Sequence, residues 1–99
     1  MIVDMKKIRN DLNLSVVNSV TERGYTVEQL NYVDKKYDLD FFTDIIVLSC
    51  NLNSDDKFTY DDLFKACKKT LLSLVIALLE CEFGFTTVIV VDMYKGGVK

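Results

Sequence analysis

The stretch from Tyr60 to Glu82 restricts the possible folds of this chain more than any other. Phe64, Cys67, Leu71, Leu74, Leu78 and Cys81 recur at alternating steps of three and four, the spacing of one face of an α-helix. Thr59 precedes them as an N-cap, with Asp61 and Asp62 in the first turn, where carboxylates favour the positive helix end. Leu72, Val75, Ile76, Ala77 and Leu79 widen the stripe until the second half is apolar nearly all round. Such a helix must be covered on most of its circumference. A coiled-coil seam would cover it too, but the acidic and basic flanks that such a seam uses are missing. Gly84 ends the helix.

The rest of the chain has to supply that cover. Met5, Ile8, Leu12, Val16 and Val20 form a second helical stripe within Asp4 to Arg23, and Gly24 stands where a left-handed residue stops a helix. Tyr25 to Tyr37 reads two ways. Thr26 with Gln29 fits a capping box for a helix starting at Val27. Tyr25, Val27 and Val33 instead fall on one alternating face, opposite Glu28, Asp34 and Lys36, and Val and Tyr favour a pleated surface, which favours a strand. Phe41 to Leu52 holds Ile45-Ile46-Val47-Leu48, a short β-rich run between Asp-rich stretches, and reads as a buried strand over 44–50. Its rival is a helix, because Phe41, Ile45, Leu48 and Leu52 also fall at helical steps. Thr86 to Val91 is β-branched and reads as a central strand pairing with 44–50. The expected order is therefore helix, strand, strand, helix, strand. This is a single α+β domain over residues 1–99, with two main helices on one sheet face.

Composition narrows the function. None of the 99 residues is histidine, the commonest general acid/base near neutral pH and the commonest metal ligand. Only four glycines are present, and none forms a phosphate-cradling loop. No serine or cysteine has a recognisable activating base. The expectation is a protein that is not an enzyme and needs no cofactor. A net charge of −3, with the lysine pairs Lys6-Lys7, Lys35-Lys36 and Lys68-Lys69 each set among acids, argues against nucleic-acid binding. An acidic mimic of nucleic acid would need a larger negative charge. Lys outnumbers Arg, proline is absent, and Asn, Ile, Lys, Tyr and Phe are abundant, a bias of A/T-rich genomes such as those of low-GC bacteria and their viruses.

Cys50, Cys67 and Cys81 have no motif spacing. Cys67 and Cys81, if on one helix, lie about 21 Å apart, far beyond the ~7 Å that a disulfide spans between Cα atoms. Reduced, buried cysteines in a cytoplasmic protein are expected. Charged Asp4, Lys6, Lys7 and Arg9 interrupt any signal-peptide run, and Leu71 to Leu79 is too short to span a membrane.

Two constellations bear on binding. Asn51, Asn53, Asp55, Thr59 and Asp62 place oxygen atoms at the first, third, fifth, ninth and twelfth positions of a twelve-residue stretch, with Phe58 at the eighth. This stretch resembles an EF-hand loop. It departs from one at Asn51 (for the leading Asp), Asp56 (for the turn glycine) and Asp62 (for the bidentate Glu). The resemblance implies a calcium site, or a module that holds a target helix, in a mostly helical chain with helices at 27–37 and 41–50. The second constellation is Tyr25, Tyr32, Tyr37, Phe41 and Phe42, most of them expected in or at the edge of the core. Tyr32, Tyr37 and Phe41 would form a recognition patch if exposed together. Leu72, Ile76 and Leu79 exceed what one sheet face and one helix can cover, and they predict a subunit contact. The expected function is a protein-interaction or assembly subunit, viral in origin, that forms a homo-oligomer or binds a host protein. It would act in the host cytoplasm or in a virion.

Overall fold

The computed structural model describes residues 3–52 and 57–84, which form four helices: α1 (Met5–Glu22), α2 (Val27–Tyr37), α3 (Leu39–Leu52) and α4 (Tyr60–Phe83). No strand occurs among the described residues, and the α+β expectation is overturned there. The predicted strand at Thr86–Val91 lies outside the described residues.

The first helix forms as its periodicity implies. Asp4 caps it by accepting from the Lys7 amide at 3.2 Å, and Ile8, Leu12, Val16 and Val20 are buried. At its other end the Gly24 amide donates to the Thr21 carbonyl and the Tyr25 amide to the Val20 carbonyl. These two bonds make a Schellman motif, and they require the positive φ of 93° that glycine adopts without strain. Tyr25 and Val20, the two residues this turn links, are both buried in the core.

Residues 27–37 form a helix in place of the strand expected over 25–37. The Thr26 hydroxyl accepts from the Gln29 amide at 3.1 Å, and the Gln29 side chain accepts from the Thr26 amide at 2.9 Å. This reciprocal cap satisfies two amides that a helix start leaves unpaired. Glu28 in the first turn and Lys35 and Lys36 in the last suit the helix dipole. The alternating face does not survive folding: Tyr25 lies in the preceding turn, Val27 is exposed, and the buried residues are Leu30 and Val33. One left-handed residue, Asp38 (φ 55°), separates α2 from α3, and its carbonyl accepts from the Phe41 amide at 3.1 Å.

The run Ile45-Ile46-Val47-Leu48 lies in α3, which corrects the 44–50 strand. A helix closes its own backbone hydrogen bonds, whereas a strand needs an aligned neighbour, and β-propensity is a weak preference that tertiary packing overrides. In α3, Leu39, Thr43 and Val47 point inward, and the buried Thr43 hydroxyl donates to the Leu39 carbonyl at 2.7 Å.

The last helix begins with a second reciprocal cap, between Thr59 and Asp62, and packs against all three others. Its buried row is Leu63, Cys67, Leu71, Val75 and Leu79, at steps of four. The inferred seam was rotated from this row: Phe64, Leu74 and Leu78 are half-buried and Cys81 is exposed. The cover for α4 thus comes from three helices in place of one helix and a sheet.

Candidate interaction surface

Side-chain links fix the helices around the core. Arg9 on α1 holds Asp44 on α3 through a bidentate pair, with both carboxylate oxygens 2.8 Å from Nη2. The Tyr60 hydroxyl donates to Asp11 at 2.5 Å, and the Lys7 ammonium lies 4.0 Å from the Tyr60 ring centroid. Burial, then the hydrogen bond to Asp11, pushes the Tyr60 phenol up to about 12. At the far end the Tyr25 hydroxyl donates to the Gly84 carbonyl at 2.9 Å. Glu82 accepts from both Lys36 and Tyr37, and these two bonds hold its carboxyl below the usual range. Burial, followed by the neighbouring Cys50, pushes the Cys67 thiol up to about 12.

An exposed apolar face lies on α3. Phe41 (57% exposed), Ile45 (43%), Leu48 (53%) and Leu52 (85%) form one row on the side facing away from Leu39, Thr43 and Val47. The row follows steps of four, three and four and spans about 16 Å of helix. Phe42 adjoins it, its ring edge-to-face with Phe41 at a centroid distance of 5.9 Å. The same spacing is a helical signal in the sequence. Its exposure follows from the position of α4, which no periodicity reveals.

The residues singled out from sequence are dispersed. Leu79 is wholly buried and belongs to the core of the chain, which corrects its assignment as a contact residue. Leu72 and Ile76 are half-buried on the walls of a groove of about 770 Å³ between α1 and α4, bordered by the charged Glu22, Arg23, Lys69 and Glu80. Tyr32 is exposed and meets Phe83 edge-to-face at 5.5 Å. Tyr37 is half-buried on Glu82. Phe41 pairs with Phe42, and Tyr25 is in the core. The aromatic concentration in the sequence is therefore divided among core, α2–α4 contact and α3 face.

Of the calcium candidates, Asn51 is in the last turn of α3, and Asn53 and Asp55 lie outside the described residues. Thr59 and Asp62 are engaged with each other: the Thr59 hydroxyl accepts from the Asp62 amide, and the Asp62 carboxylate accepts from the Thr59 amide. Among the described residues no three His, Cys, Asp or Glu side chains are grouped as a metal site.

A smaller cavity of about 190 Å³ lies among the four helices, lined by Asn13, Leu30, Asn31, Asp34, Thr43 and Val75 among others. Burial, and next the charge of Asp40, raise the Asp34 carboxyl above its ordinary value. The cavity is below the ~300 Å³ at which small-molecule pockets begin. No described helix is long and apolar enough to cross a membrane. The chain matches no protein family, no curated protein and no solved structure, so its function has to be argued from these surfaces.

Proposed function

We propose that this chain is a non-enzymatic protein-interaction subunit and that it binds through the outer face of α3. The observation that carries the reading is the row Phe41, Ile45, Leu48 and Leu52, exposed on one side of a helix whose other side is already packed. Contiguous apolar patches of roughly 400 Å² on small proteins mark interaction sites. Fully covering one such side chain contributes about 1.5–3 kcal/mol relative to exposure. The acidic balance supports a protein partner over nucleic acid. A place in particle assembly or on a host protein, in the cytoplasm or a virion, belongs to the same proposal; composition bears on its viral source alone.

The test is a tagged chain isolated from its own cells. A Leu48→Ser/Leu52→Ser variant should keep its helical circular dichroism and elute free of the complex that the parent forms. Unchanged complexes would overturn the reading. So would substrate turnover by the pure chain that a single carboxylate substitution abolishes.

A second reading is a calcium-binding or target-helix module of EF-hand type. It is favoured by α3 and α4 flanking the 53–59 stretch, and by helices at the places that reading required. Engagement of Thr59 and Asp62 in the cap of α4 weighs against it. A calcium titration that leaves Tm unchanged would close it.

A further inference from the structure

We infer that the α3 face is covered by a second copy of this chain, packed antiparallel about a two-fold axis. The inference rests on the α3 face being a protein contact, as proposed above, and adds the partner.

The row has the symmetry that such a contact needs. Its steps of four, three and four read the same from either end, with the midpoint between Ile46 and Val47. An antiparallel two-fold through that midpoint sets Phe41 against the partner's Leu52 and Ile45 against the partner's Leu48. Each contact occurs twice, as an isologous interface requires. All four side chains are then covered by apolar neighbours.

Charge selects the antiparallel direction. Asp40 lies at the start of α3, next to Phe41. Parallel packing would bring the two Asp40 carboxylates abreast. Antiparallel packing separates them by about 20 Å along the helix, more than twice the ~8 Å screening length at physiological salt. Asp44 lies nearer the axis, but Arg9 already holds it through both oxygens. The helix dipoles also run opposite in this arrangement, which places each negative end beside a positive one.

The area sets the strength. The exposed parts of the four side chains amount to roughly 450 Å² per copy, or about 900 Å² in a pair, close to the ~1,000 Å² where specific interfaces begin. An interface of this size is expected to be weak and reversible.

Sedimentation equilibrium of the full chain tests the proposal. The parent should pass from monomer to dimer with rising concentration. Ile45→Lys and Leu48→Glu, each alone, should weaken the dimer about 100-fold or more, because each would bury two unpaired charges. A mixture of the two variants should restore it, because position 45 of one copy faces position 48 of the other and lysine then meets glutamate. If mixing restores nothing, the antiparallel pairing is wrong, although the α3 face remains a contact surface. If the parent stays monomeric to millimolar concentration, the second copy is wrong and the protein-contact reading is left to the test in native cells. If both variants dimerise like the parent, association occurs elsewhere and the inference fails. If both lose their circular dichroism, the chain itself covers this face, and the inference and the proposed function fail together.

Discussion

Single side chains do different work in this molecule according to how far water reaches them. Cys67 is enclosed and its thiol is pushed up to about 12, Cys50 is half-buried, and Cys81 is exposed. Thiolate is the reactive form, so iodoacetamide at pH 8 should modify Cys81 first and Cys67 only after unfolding. Mass spectrometry of the labelled peptides reads the order, and early modification of Cys67 would mean that the core is open. Tyr60 gives a pH signature. Its folded-state pKa, about 12, lies above the ordinary phenol value of 10. A raised folded pKa contributes stability that is complete below the unfolded pKa and is lost as pH rises through the folded one. Stability should therefore fall between pH 10 and 12. Burial raises Tyr25 in the same direction, and the hydrogen bond to Glu82 raises Tyr37, so both share the slope. Tyr60→Phe should remove its own part of that slope. At neutral pH it should cost about 0.5–1.5 kcal/mol for the lost bond to Asp11, read by urea titration.

At the scale of elements, caps and inward rows decide what each segment becomes. The capping box at Thr26 and Gln29 was legible in the sequence, and it is the local signal that α2 obeys. The alternation of Tyr25, Val27 and Val33 was equally legible and misled, because three residues at even spacing do not make a strand without a neighbour to pair with. Thr26→Ala should cost about 1 kcal/mol, and circular dichroism of the parent should show the 208 and 222 nm minima of a mainly helical chain. In α3 the two sides should respond differently. Val47→Ala removes fully buried methyl groups and should destabilise by about 1–3 kcal/mol. Leu48→Ala, one residue away on the open side, should change monomer stability by less than about 0.5 kcal/mol. Thermal melts at low concentration make the comparison, and equal losses would mean that the open side is packed.

Across the whole molecule, α4 is the post around which the other helices stand, and Leu79 is part of its buried row. Leu79→Ala should cost about 2–5 kcal/mol in monomer stability, measured by urea unfolding. A loss below about 1 kcal/mol would return that residue to the surface. Leu72→Ser with Ile76→Ser should cost less, because both line an open groove. What the sequence determined by itself was local: the α1 stripe with its Gly24 stop, the α4 helix with its Thr59 cap, and the capping box that starts α2. Each depends on residues within a few positions of one another, so chain order alone specifies it. Tertiary structure decided the rest. Ile45-Ile46-Val47-Leu48 satisfies both a period of 2 and one of 3.6 over so short a run, and packing against α4 resolves it as helix. The same packing turns Val47 inward and leaves Phe41, Ile45, Leu48 and Leu52 to solvent. A helix apolar on both sides does not specify which side is the core; only the position of its neighbours does.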